Sequence, residues 1–195
     1  MSDPSLRCTA FAGPVRIASG ELRHVALKAK QAFDADKTVL VFEDANGRVI
    51  DLPLELSASD LLKRLAEPVL APAPETVKPR ARGPGRPKLG VVAREVTLLP
   101  RHWDWLAAQP GGASVALRKL VEDARKVSAD GDRQRAAQEA AYRFMQAIAG
   151  DVAGFDEAAR ALFAGDIGKF EEYSATWPDD VREHAALLAA DAFHH

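Results

Sequence analysis

Apolar positions recur along this chain with two different periods, and the chain divides where one period gives way to the other. Between residues 6 and 67 both are present. The stretches 8–11 and 15–18 flank Gly13-Pro14 as two strands joined by a tight turn would. Leu22, Val25, Ala26, Ala29 and Phe33 then take up the i, i+3, i+4 spacing of a helix that starts near Ser19-Gly20-Glu21 and closes at Lys37. The β-branched run 38–42, the dipeptide Asn46-Gly47 and the run 48–52 predict a hairpin. A last helix over 60–66 is capped by Ser57 or Ser59 and stopped by Pro68. Residues 1–67 therefore read as a small α+β domain with a mainly antiparallel sheet.

Six prolines between Pro68 and Pro87, with little apolar periodicity among them, predict an extended linker over residues 68–90. Residues 91–127 combine a strand pattern with two short helical patterns, separated by Pro110-Gly111-Gly112. Ala136, Ala140, Phe144 and Ile148 place one apolar row on a helix over 128–149, ended by Gly150. Three more helices follow: 155–164, stopped by Gly165; 167–175, capped by Asp166; and 178–192, with Pro178 first and Asp179 and Asp180 in the opening turn. Trp177 is expected to pack against the start of that last helix. Residues 128–193 thus read as a helical domain, and the fold class of the whole is α+β.

The formal net charge of −2 conceals a polar distribution of charge. Residues 78–126 hold 11 basic and 4 acidic side chains, a balance of +7, whereas 151–195 hold 3 basic and 10 acidic, a balance of −7. A cationic middle attracts polyanions and an acidic end repels them. No apolar run approaches the roughly 20 residues that span a bilayer, and no leader pattern opens the chain, so a soluble cytoplasmic protein without membrane contact is expected. The one cysteine, Cys8, has no ligand-spaced Cys or His neighbours; neither a disulfide nor structural zinc is expected. His24, His102 and His184 lack a paired nucleophile or acid, and Glu183-His184 reads as a solvated helix face, so no catalytic residue and no cofactor is assigned. His194 and His195 end the chain as a purification tag begins, and carry no metal argument.

Function then rests on the cationic middle. Gly85-Arg86-Pro87, with Arg80, Arg82 and Lys88 around it, resembles the core of an AT-hook: glycine lets the backbone reach the minor-groove floor, proline keeps it extended, and arginine enters the negative groove. Pro84 stands where the usual hook has a second arginine. Farther on, the run 94–100, the segment His102-Trp103-Asp104-Trp105-Leu106 and the helix start Gly112-Ala113-Ser114 resemble the ribbon-helix-helix fold. That resemblance implies a homodimer in which two strands form a ribbon in the major groove of double-stranded DNA. Val92, Val96 and Leu98 would face the core, with Arg94 on the same phase. Glu95 and Thr97 would face the bases, and Ser114 would cap a second helix whose amides hold a phosphate. Trp103 and Trp105 would be buried in the dimer. A helix-turn-helix, with helices 100–109 and 113–126, is the other DNA-binding arrangement the pattern allows.

At whole-chain scale the sequence also resembles an uncharacterised bacterial family, a domain of unknown function with a basic Gly-Arg-Pro-Lys-Leu-Gly tract ahead of the Trp-Asp-Trp segment. The expectation is a bacterial, nucleoid-associated DNA-binding protein or transcriptional regulator, whose N-terminal domain meets an effector or protein partner. The opposing expectation is an interaction adaptor or scaffold whose basic middle pairs with acidic ends and never meets DNA.

Overall fold

The computed structural model describes residues 6–66, 92 and 94–193. Three antiparallel strands, β1 (Arg7–Ala12), β2 (Val15–Glu21) and β3 (Val39–Glu43), form a sheet in the order β2-β1-β3. Gly13, with φ +58°, turns β1 into β2, and one extra residue on β2 opposite the Ala10–Phe11 step makes a bulge. The hairpin after β3 forms as a narrow return: Asn46 and Gly47 make the turn, Glu43 N–H donates to Arg48 O (2.8 Å), Ile50 N–H to Val41 O (2.7 Å), and only Phe42 and Val49 pair as a bridge.

Period-two alternation in the central strand sends side chains to two different cores. Cys8 and Ala10 on β1 and Val41 on β3 meet Leu22, Val25, Ala26 and Ala29 of helix α1 (Leu22–Phe33), together with Leu61 of helix α2 (Ala58–Ala66). Ser57 accepts from Asp60 N–H at 3.2 Å, as an N-cap does. Phe11 and Phe42 point to the other face, where they meet the distal part of helix α4 (Gly112–Ala149) and helices α5 (Phe155–Ala164), α6 (Ile167–Ser174) and α7 (Asp179–Leu188), closed by a 3-10 turn at Ala190–Phe193. Helix α3 (Pro100–Ala107) precedes α4. The architecture is α+β, as the two periods in the sequence imply.

Residues 6–66 and 130–193 therefore share a core, which the sequence division into separate domains at 1–67 and 128–193 does not anticipate; the described residues of 71–129 belong to a second unit. The physical reason lies in β1, whose side chains at 8 to 11 are all buried. A strand buried on both faces needs cover on both. Polar ties fix that cover. Arg16 N–H donates to Asp180 Oδ2 (2.8 Å) and its guanidinium meets Glu183 (3.1 Å), joining β2 to α7. Arg143 donates to Asn46 O (3.1 Å), Gln138 to Leu162 O (3.1 Å), Gln134 to Ala192 O (3.1 Å), and the Trp177 indole to Ala153 O (3.1 Å). Trp177 anchors the start of α7, as expected.

The limits of α5 and α6 agree with the sequence pattern to within one residue, whereas the helix expected over 178–192 is α7 from Asp179 to Leu188, with Pro178 as its N-cap instead of its first residue and a separate 3-10 turn after it. Gly165, left-handed at φ +71°, ends α5, and the Asp166 carboxylate accepts from Lys169 N–H to start α6. Before residue 150 the pattern divides what the chain joins, because helices predicted over 113–126 and 128–149 are one continuous α4. Nothing in 126–130 breaks a helix: Lys126, Val127, Ser128, Ala129 and Asp130 include neither glycine nor proline.

The turn at Gly47 packs its backbone against α4. Its φ is +66°, and a Cβ there would overlap the carbonyl oxygen of Ala140. Gly47→Ala combines left-handed strain with a backbone clash, and a loss of about 3 kcal/mol is expected in urea unfolding. A stability within about 0.5 kcal/mol of the parent would show that this contact yields freely.

Candidate nucleic-acid interface

Residues Arg80, Arg82, Gly85, Arg86, Pro87 and Lys88 lie outside the described residues, as do residues 91 and 93. With Lys78, five of the 11 basic side chains of 78–126 lie outside the described residues, so the described part carries six, Arg94, Arg101, Arg118, Lys119, Arg125 and Lys126, against Glu95, Asp104, Glu122 and Asp123. All ten are exposed.

The run 94–99, expected as a strand, forms none in the single chain and takes no part in the sheet. Glu95 and Thr97 are exposed, as the base-facing phase was expected to be, but Val92, Arg94 and Val96 of the phase expected to face the core are exposed too, and only Leu98 is partly covered. Leu99, extended at φ −66° and ψ 149°, leads into α3 with Pro100 at its first position, where the missing N–H costs nothing. His102 N–H donates to Leu99 O at 2.8 Å. Of the apolar side chains in α3, Leu106 alone is buried. Trp103 and Trp105, expected in a core, are 40% and 52% exposed in the single chain.

A turn of left-handed glycines joins α3 to α4. Gly111 and Gly112 have φ of +84° and +74°, and Gly112 N–H donates to Gln109 O at 2.9 Å. A Cβ on Gly111 would press on the Val115 side chain. Because α4 begins at Gly112, Ser114 sits in its first turn instead of at its cap, and the sequence reading of Ser114 as the capping residue is corrected accordingly. The amides of Ala113 and Ser114 belong to the orphan set of a helix start. The Gly112 amide is already taken. The Ser114 carbonyl accepts from Arg118 Nε at 3.0 Å, which holds a cation one turn into the helix.

A family model for DUF2239, described as an uncharacterized protein conserved in bacteria, matches residues 7–189. The chain belongs to this family. The match takes in both units of the DUF2239 chain, so the sheet, its helical cover and the α3–α4 turn are parts of one family architecture. No curated protein and no solved structure matches it.

Elsewhere, none of the described residues forms a cluster of three or more His, Cys, Asp or Glu side chains able to hold a metal, and none of the described helices is long and apolar enough to cross a membrane. Cys8 is a buried free thiol, pushed up to about 12 by burial first and by Asp44 and Glu43 after it. A cavity of about 250 Å³ between the β1–β2 turn and the end of α4, reached by Gly13, Leu40, Ile148 and Val181, is lined by no titratable side chain. Thr9, buried in the central strand, donates to Asp44 (2.8 Å) and lies 3.1 Å from the Ser19 hydroxyl.

His184 is the residue the sequence reading missed. It is buried, not solvated, packed edge-on to Phe144 (4.7 Å between ring centres) and tilted against Phe11 (5.4 Å), with Nε2 unpartnered. The signal was its spacing with Val181, Ala185 and Leu188, all buried on the same face of α7. Burial lowers its pKa below the ordinary 6.5; Asp44 opposes that shift and Arg16 adds to it. The unfolded chain therefore takes up this proton first as pH falls. The contribution of neutral His184 is complete above about pH 6.5 and is lost progressively below it, down to the folded-state pKa. The urea midpoint should thus decline between about pH 7 and 5 in the parent, and His184→Phe should flatten the decline. Parallel profiles for the two proteins would remove His184 as its source.

Proposed function

We propose that this DUF2239 chain is a DNA-binding protein, a nucleoid-associated factor or transcriptional regulator, acting on double-stranded DNA as a homodimer. In this reading residues 92–99 of two copies pair as a ribbon in the major groove, the amides of Ala113 and Ser114 take a phosphate, and the tract from Arg80 to Lys88 grips the minor groove or the backbone. The observation that carries it is the condition of residues 92–129 in one chain. A segment free of the sheet, in which Arg94 and Glu95 balance, runs into two helices around a glycine turn, and only Leu106 among the described side chains of 92–129 is fully buried. An element with so little core of its own needs a second surface. Two such elements, each offering an unpaired segment and an exposed helix start, are what a ribbon reader requires.

Mobility shifts of the full chain on random and A·T-rich duplexes at several ionic strengths test the reading. Neutralising about five phosphates gives a log–log salt slope near −4.5. Thr97→Ala is expected to relax sequence preference at a cost of roughly 1–3 kcal/mol, Arg94→Ala to weaken binding to all duplexes, and Arg86→Ala to weaken it chiefly on A·T-rich DNA. Absence of binding at low salt ends the DNA reading and leaves the adaptor reading, in which the cationic middle meets an acidic protein surface.

A further inference from the structure

Helix α3 divides its two tryptophans between different sides. Trp103 stands close to Leu106 and Ala107, on the side where Leu106 is buried, whereas Trp105 is turned about 160° from Trp103 at 3.6 residues per turn. The neighbours of Trp105 are Arg101 and His102, one turn earlier and both exposed, and Gln109 past the helix end, whose amide donates to Trp105 O at 3.2 Å. Arg101 makes no ion pair with a described residue. Asp104, the acidic residue of α3, points about 100° away from Trp105. The indole is thus a single flat apolar surface, half exposed, inside a polar and cationic surround.

We propose that Trp105 stacks on unpaired bases, so that α3 binds single-stranded DNA, with Arg101 and His102 meeting the phosphates beside the stacked base. The surroundings of the ring identify the occupant. A second copy or a protein core covers an apolar side, and the apolar side of α3 is the other one, with Trp103 and Leu106. A membrane surface likewise asks for a broad apolar face. An acidic peptide would satisfy Arg101 and leave the indole in water. A nucleotide satisfies both, because its base offers a flat π-face as broad as the indole and its phosphate an anion for the guanidinium. In an intact duplex the bases stack on one another, so the ring reaches only those that are unpaired. The six described cations of this unit against four carboxylates supply attraction of the right sign for a polyanion. The inference rests on the reading of this unit as a DNA-binding element, and on neither the ribbon nor the dimer.

Indole fluorescence of the full chain, titrated at low salt with an oligothymidylate of about 20 nucleotides, decides it, since that length exceeds the site of one binding module. Trp177 is buried, so the signal a base can reach comes from residues 103 and 105. Quenching on binding is expected, lost in Trp105→Phe, whose ring still stacks, and kept in Trp103→Phe. Trp105→Ala is expected to weaken binding about tenfold and to leave the thermal melt unchanged, because the side chain is exposed. Binding without quenching, or quenching that Trp105→Phe leaves intact, overturns the proposal and keeps DNA binding through phosphates alone. A chain that shifts duplexes but not the oligothymidylate overturns it as well and keeps the duplex reading, whereas a chain that binds neither ends both. If Trp105→Ala converts a sedimenting dimer to monomers, the indole belongs to a subunit contact and the proposal falls.

Discussion

Cover for both faces of one short central strand is the constraint on which the larger unit depends. With Cys8, Thr9, Ala10 and Phe11 all buried, β1 has no solvent side, and α1 and α2 supply cover for only one face. The second face is closed by Phe144 and Met145 of α4 and by α7, with His184 set between Phe11 and Phe144. A three-stranded sheet with one face bare would expose two phenylalanines, and burying each is worth about 1.5–3 kcal/mol. That term accounts for a common core between residues 6–66 and 130–193, with the intervening segment left out of it. In the ion pairs of Arg16 with Asp180 and Glu183 the side chains are 35%, 35% and 59% exposed, so the pairs add little in water. Their contribution is registry, since the Arg16 backbone N–H is held by Asp180 as well.

Local elements were legible in the sequence wherever one residue type decides them. Gly165 and Asp166 end one helix and begin the next because a left-handed glycine and a capping carboxylate act within their own turn. Asn46-Gly47 turns because two residues suffice for that turn. What depends on distant partners was not legible. Glu183 and His184 are adjacent polar residues; the spacing of His184 with Val181, Ala185 and Leu188 marks its face of α7, but the rings that enclose it come from residues 11 and 144. The merging of two predicted helices into α4 has a similar origin. The proximal and distal halves differ in composition, one rich in paired charges and one rich in alanine, although no breaker separates them. The candidate interface was legible as composition and motif, in its cationic excess and its glycine turn, but its burial was not. Trp103 and Trp105 look like core in any sequence, and whether they are core depends on a surface outside the single chain.

The continuity of α4 constrains how such a surface can be completed. A row of residues at alternating steps of four and three along α4 changes character over its 38 residues: beyond Gly131 its members Gln134, Gln138, Ala141 and Met145 are held by other parts of the chain, whereas before Gly131 Leu120, Ala124 and Val127 are exposed. An ideal helix drifts by about 20° per heptad against a strict four-three row, so the row cannot face one flat neighbour over its whole length. It must either supercoil with a like helix or change partners part-way. The distal partners are α5 and the C-terminal turn, reached by Gln138 and Gln134, and the last of these bonds stands three residues past Gly131. Substitutions at 120 or 127, where the side chains are exposed, leave the packing of the single chain in place, whereas those at 141, 144 or 145 open its core and act on folding.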